Sequence, residues 1–236
     1  MCSSDLRELL RSRLFDIAWE DGAEKADFTL AIPNVSDASI SLHLMVPEER
    51  LYEVGLFSQN GSLRVENLKS TTLQVDTING STRMHSVRAQ TIRGEGGNGS
   101  CEMEGVEAKA IRHELGNGSY RLSLSATDLD LLTTNGSVNV RVSDVLGDAR
   151  YRLRTTNGAI KVSLPAQVDL GLSLDLQTAV GRISTEVSAL EITRQERQGG
   201  GALLAAHSVD YAGKADKLDL EASSTSGSIA VSAREA

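Results

Sequence analysis

Asn-Gly occurs six times in this chain, at Asn60-Gly61, Asn79-Gly80, Asn98-Gly99, Asn117-Gly118, Asn135-Gly136 and Asn157-Gly158, and the asparagines are 19, 19, 19, 18 and 22 residues apart. The first five pairs continue with Ser and the last with Ala, and degenerate copies follow at Val180-Gly181 and Ser226-Gly227-Ser228. A near-constant period marks one supersecondary unit repeated along an axis. It constrains architecture strongly and chemistry hardly at all.

Alignment on the turn glycine exposes columns. Two residues after it stand Leu63, Thr82, Cys101, Tyr120, Val138, Ile160, Ile183 and Ile229. Four after it stand Val65, Met84, Met103, Leu122, Val140, Val162, Thr185 and Val231. A second strand in each unit is marked by Leu73, Ile92, Ile111 and Leu129, and intervening positions such as Arg64, Arg83, Glu102 and Arg121 are polar. This alternation makes each unit two short half-buried strands with two turns.

Two all-β architectures fit. In an antiparallel meander each Asn-Gly is a type I′ hairpin turn, with φ > 0 at both central residues, and Val75 pairs with Met84 and Leu131 with Val140. In a β-solenoid each unit is one coil and equivalent residues stack on the next coil, about 4.8 Å away. Stacked asparagines can then hydrogen-bond one another along the ladder. The solenoid is preferred, because a meander has no need for the same residue class in the same column at every repeat.

Composition agrees with narrow cores: 40% of the 236 residues are hydrophobic but only 3% aromatic, and Gly is frequent (21) where Pro is rare (3). Strands that must donate their N–H groups exclude Pro. The net charge of -8 argues against nucleic acid and against adsorption to an anionic membrane. No apolar stretch approaches the roughly 18 residues of a membrane-spanning helix. Cys2 and Cys101 form neither a disulfide framework nor a metal site by spacing.

The chain divides into 1–12, holding a short helical turn at Leu6–Arg13; a β lead-in over 13–50 packed on the solenoid; and repeats over 51–236, with a hairpin or loop inserted around 187–215. The lead-in alternates at Phe15, Ile17 and Trp19, at Phe28, Leu30 and Ile32, and at Ile40, Leu42, Leu44 and Val46. The run Cys2-Ser3-Ser4-Asp5-Leu6 is what TGCTCTTCCGATCT, the end of a common sequencing adapter, encodes. These residues are therefore expected to stand where a natural N-terminus, with any export signal or anchor, has been lost.

Chemical motifs dissolve into the repeat. Gly94-Glu95-Gly96-Gly97-Asn98-Gly99 matches G-x-G-x-x-G, but strand rather than helix follows it, so a dinucleotide site is not expected. The same stretch lacks the Asp ligand of a calcium β-roll. Five N-G-S sequons are explained by turn chemistry, and Asn34-Val35-Ser36 is a sixth. By strand parity His43 and His85 point outward and His113 falls in the core column of Val75, Gly94 and Leu131. None of these, nor His207, has a partner at metal-ligand spacing. Asp128, Asp130, Glu102 and Glu104 alternate with core residues, as on a solvated strand face. No catalytic residue, cofactor-binding residue or metal ligand is assigned. The only positions singled out are the structural turn ladder of the twelve Asn and Gly residues named first.

Three stretches then carry a resemblance: Leu44-Met45-Val46-Pro47, Arg154-Thr155-Thr156-Asn157-Gly158-Ala159-Ile160-Lys161-Val162, and Ser224-Thr225-Ser226-Gly227-Ser228-Ile229-Ala230-Val231. Together they resemble the bacterial adhesin-labelled family of β-strand repeats of unknown function (DUF4097-like), over roughly Ile40 to Ala233. The resemblance implies a right-handed β-solenoid, frequent association with the cell envelope, and no catalytic residue to carry over.

The expectation is a non-enzymatic, exported or envelope-associated surface or scaffold module that binds a protein or envelope component through flat solenoid faces. It needs no cofactor, nucleic acid or membrane insertion. The alternative is a cytoplasmic or membrane-peripheral module that self-assembles through its solenoid ends, and a third is a polysaccharide-processing solenoid enzyme.

Overall fold

The computed structural model describes residues 15–17, 28–30, 51–145, 147–165 and 170–233. The chain separates into two compact units, Met1–Tyr52 and Glu53–Ala236. In the first, Phe15–Ile17 pairs antiparallel with Phe28–Leu30, placing Phe15 opposite Leu30 and Ile17 opposite Phe28. The rest of the expected lead-in and its packing, the 1–12 segment, Cys2, the Asn34 sequon, His43 and the Ile40–Val46 alternation lie outside the described residues.

The second unit is a β-solenoid. Eight rungs stack in the order 53–66, 69–85, 88–104, 107–123, 125–142, 148–164, 216–233 and 170–186; Tyr52–Asn60 pairs with Lys69–Asn79, and from there on each strand pairs parallel with the next in its column. One face carries the strands that follow each Asn-Gly corner. Its ladder runs Leu63, Thr82, Cys101, Tyr120, Val138, Ile160, Ile229, Ile183. The opposite face stacks Leu73, Ile92, Ile111, Leu129, Tyr151, Leu220 and Leu174. These inward columns, with Met84, Met103, Val140, Val162 and Val231, form one continuous core. Each fully buried aliphatic side chain contributes about 1.5–3 kcal/mol. Because Val75 pairs with Gly94 and Met84 with Val65 and Met103, the meander is excluded.

The Asn-Gly corner is held by two side-chain ladders and by close packing of its glycines. Each asparagine Nδ2 donates to the Oδ1 of the asparagine one rung before: Asn79 to Asn60 at 3.0 Å, Asn98 to Asn79 at 2.8 Å, Asn117 to Asn98 at 2.9 Å, Asn135 to Asn117 at 2.7 Å and Asn157 to Asn135 at 2.8 Å. The glycines are demanded by closeness. A Cβ at Gly80, Gly99, Gly118, Gly136 or Gly158 would stand 1.5–2.0 Å from the carbonyl oxygen of the preceding corner glycine. None of the six asparagines has positive φ, so this is not a type I′ turn. Inside the corner, Thr133, Thr155, Ser224 and Thr178 donate to the carbonyls of Gly118, Gly136, Gly158 and Gly227 at 2.8–3.1 Å. Buried carbonyls need such partners. This hydroxyl column went unread in the sequence.

Both departures from a 19-residue period fall at the other corner. There Asn67, Ser86 and Gly105 take left-handed φ of 52°, 53° and 62°. The next rung omits this residue: Glu104 pairs with Ser123 and Val106 with Leu124, leaving Gly105 as a bulge and shortening the interval to 18. The 22-residue interval inserts its extra residues between Val142, opposite Leu124, and Arg150, opposite Asp128.

The last rungs do not stack in chain order. Strand Ile229–Ala233 lies between Ile160–Leu164 and Ile183–Glu186, and Asp216–Ser226 lies between Asp148–Asn157 and Leu170–Val180. The inserted segment is a hairpin of strands Leu190–Gln198 and Gly201–Ser208. Gly201–Ser208 pairs antiparallel with Leu170–Val180 and buries Leu204 and Ala206, so the hairpin extends the sheet. The outermost strand, Leu190–Gln198, is exposed along nearly its whole length, charged at Glu191, Arg194, Glu196 and Arg197, and bulged between Ile192 and Arg194. Charge and bulges are how a sheet edge avoids pairing with another chain.

Candidate functional surface

The glycine-rich stretch 94–99 owes its composition to packing. Rung 3 is small at Gly94, Gly96 and Cys101, and rung 4 is large at His113, Leu115 and Tyr120, their register partners. A Cβ on Gly94 would lie 2.6 Å from His113 Cδ2, and one on Gly96 2.4 Å from Leu115 Cδ2. The larger side chains occupy the space the glycines leave, so no phosphate cradle remains.

His113 is fully buried rather than at the core edge. Its ring meets Tyr120 edge-on, 5.6 Å between centroids, and its Nδ1 is 3.1 Å from the Tyr120 hydroxyl. That hydroxyl lies 2.8 Å from the carbonyl of His113 and 3.0 Å from that of Leu132. A hydroxyl has one proton to give, so Nδ1 is the donor to Tyr120 and Nε2 the bare nitrogen. Nε2 has no hydrogen-bond partner among the described residues. Burial, opposed by the Asp76 charge, pushes the imidazole down to about 4. Burial also lifts the Cys101 thiol to about 12 and the Tyr120 phenol well above its usual range. No group in this cluster is ionised or solvent-accessible at neutral pH, so it has no access to a substrate.

The cluster has a pH signature. His113 takes a proton at about 4 in the folded chain but at 6.5 when unfolded. The unfolded state therefore binds the extra proton as pH falls from 6.5 towards 4, and stability declines across that window, by about 3 kcal/mol in all. Denaturant titrations at pH 7.5 and 5.0 should show about 2 kcal/mol lost in the unaltered chain, with that component absent in His113→Leu. An equal loss in both would assign the slope to other groups.

The outward faces carry the charge. On the face after the Asn-Gly corner, Arg83 meets Glu102 at 3.3 Å, His85 meets Glu104 at 3.4 Å and Arg121 lies 3.9 Å from Glu102. On the opposite face the sign alternates from rung 5 to rung 7, although Asp76, Glu95 and Glu114 stack as like charges on rungs 2 to 4. Arg152 and Arg154 lie between Asp130, at 3.8 and 2.8 Å, and the next rung, where Glu221 meets Arg152 at 3.1 Å. Arg88 grips Glu107 with two bonds at 3.0 and 3.2 Å. Thus Asp128, Asp130, Glu102 and Glu104 sit on solvated faces, as their parity implied. His207 approaches Glu191 at 3.9 Å.

Among the described residues no group of three or more His, Cys, Asp and Glu could hold a metal ion, and no helix is long and apolar enough to cross a membrane. One open depression of 210 Å³ lies beside the end of the asparagine ladder, lined by Thr155, Gln177, Ala179, Ser223, Ser224 and Thr225. It is smaller than the roughly 300–1,000 Å³ of most ligand pockets and carries no charge.

Comparison with known proteins follows the fold. Searches of curated proteins and of solved structures found no match. A family model, that of the Toastrack DUF4097 domain, matches residues 16–206 and so ends before the intercalated rung 216–233. A match over most of the chain, on a stack of parallel strands with an asparagine ladder, places it in a family: the chain belongs to the Toastrack DUF4097 family.

Proposed function

We propose that this protein is a non-enzymatic scaffold of the cell envelope that docks a macromolecular partner on its flat outer faces. The observation that carries this reading is the division of labour within each strand. Inward residues close one continuous core, while outward residues form ladders of charged, hydroxyl and amide groups along the rungs. Such a surface offers an extended partner many repeated contacts, whereas the buried histidine, cysteine and tyrosines are turned away from solvent. Location at the envelope rests on the adhesin label of the family that the repeats resemble.

Self-assembly through the end that carries the Leu190–Gln198 edge is less favoured, because that strand is charged and bulged. Two measurements test the proposal. Purified protein mixed with envelope fragments from the source cells should co-sediment with them; protein that stays in the supernatant at every salt concentration would rule the reading out. Sedimentation velocity should show a monomer across a hundredfold range of concentration, and concentration-dependent filaments would favour the assembly module instead.

A further inference from the structure

On one face, rungs 4 to 6 lack the cross-rung charge pairing that joins rungs 2 and 3. On the outer side of the face that follows the Asn-Gly corner, the register runs Arg121–Asn139–Lys161 in one column and Ser123–Arg141–Ser163 in the next. No carboxylate stands in this block, although the chain as a whole carries a net charge of -8. Rungs 2 and 3 of the same columns do pair across, Arg83 with Glu102 and His85 with Glu104. A Glu at position 123, 139 or 163 would have done the same here. Instead Arg141 and Lys161 have no ion pair among the described residues and are exposed, and Arg121 reaches Glu102 only at 3.9 Å.

With rungs about 4.8 Å apart and alternate residues about 6.8 Å apart along a strand, the backbone positions of the three cationic residues form a triangle with sides of about 8–10 Å. The face is hydroxyl- and amide-lined between them, with no aromatic ring. A linear polymer carrying repeated carboxylates and hydroxyls can lie across all three positions, each cation taking its own acidic group while Ser123, Asn139 and Ser163 meet hydroxyls. Nucleic acid fits less well, since single strands need aromatic stacking platforms. We infer that Arg121, Arg141 and Lys161 form a binding face for a linear acidic polysaccharide. This rests on the docking-scaffold reading above and names the partner's chemistry.

The test uses the full chain and polygalacturonate as probe, read by affinity electrophoresis and by titration calorimetry at low salt. The unaltered protein should bind polygalacturonate, ignore neutral dextran and release its ligand as salt rises. Arg121→Ser, Arg141→Ser and Lys161→Ser combined should weaken binding at least about tenfold, each exposed ion contact being worth a factor of about two to five. The control Arg64→Ser, Arg83→Ser and Arg88→Ser removes equal charge from paired cations and should weaken binding less than threefold. Both variants should keep the melting temperature, since all six side chains are exposed. The inference is overturned by no binding of the unaltered chain, by equal losses in both variants, or by single-stranded DNA or phosphatidylglycerol vesicles binding as tightly and with the same dependence. Envelope co-sedimentation that survives the triple change would sink this assignment alone, leaving the scaffold reading intact.

Discussion

Val140→Asp is expected to abolish cooperative folding or leave the chain insoluble, while Arg141→Asp, one residue later on the same strand, melts within about 0.5 kcal/mol of the unaltered protein. Val140 is 0% exposed and stacked between Leu122 and Val162. An Asp there has a rung above and a rung below, both aliphatic, and no cation or amide to meet. The carboxylate must stay charged without a partner or take a proton and lose its remaining hydrogen bonds, which costs about 4 kcal/mol or more. Arg141 points the other way, has no ion pair among the described residues, and its neighbours are Ser123 and Ser163. Circular dichroism melting of both variants decides the matter, and similar midpoints would mean that the inward column has been misplaced.

Gly118→Ala should be the most damaging single-methyl change at the corner. The added Cβ would stand 1.5 Å from the carbonyl oxygen of Gly99 and 2.7 Å from its carbonyl carbon, both backbone atoms that cannot rotate away. The rungs would have to part locally, breaking the stacking bond from Gly118 N to the Asn135 carbonyl or from Gly99 N to the Asn117 carbonyl. Overpacking of this kind costs about 1–3 kcal/mol, and a lost buried hydrogen bond adds to it. Gly55→Ala meets nothing within 4 Å and should be neutral or stabilising by about 0.5 kcal/mol. Asn117→Ala removes one donor and one acceptor from an exposed ladder, at about 1 kcal/mol. Urea titrations should rank the three as Gly118, Asn117, Gly55. A Gly118→Ala cost no greater than that of Asn117→Ala would mean that the corner is set by turn conformation rather than by contact between rungs.

Much of this corner was legible before any coordinates. The asparagine ladder, the inward columns and the outward placement of Glu102, Asp128 and Asp130 all follow from parity and period. The reason Gly is needed did not follow. A type I′ turn and a stacked corner both select Asn-Gly, and they are separated by the asparagine φ and by the distance from each glycine to the carbonyl one rung away. The threonine column inside the corner was missed for a related reason: Thr133 and Thr155 look like ordinary strand residues until their hydroxyls are seen on glycine carbonyls. The cationic block was within reach, since aligning positions three and five after the turn glycine exposes Arg-Ser, Asn-Arg and Lys-Ser in successive units.

The sequence by itself determined the coil, because side-chain alternation and the need for small corner residues act within one repeat and are written there. Only the tertiary structure decided the order of the last rungs. Every rung presents the same columns, so stacking 216–233 before or after 170–186 leaves the same residues facing inward, and periodicity is blind to the choice. What separates the two orders is the number of neighbours. An inner rung is covered on both sides, which suits Ile229 and Val231, both buried to within 1%. In the rung 170–186 the strand Ile183–Glu186 is an edge covered on one side, which the half-buried Ile183 and Thr185 tolerate. Charge adds to the same preference through Lys217, which lies beside Asp148 where 170–186 would offer Gly171, whereas Glu221 beside Arg152 would be matched by Asp175 in the other order. These contacts join residues 69 apart in the chain, and no local pattern could have announced them.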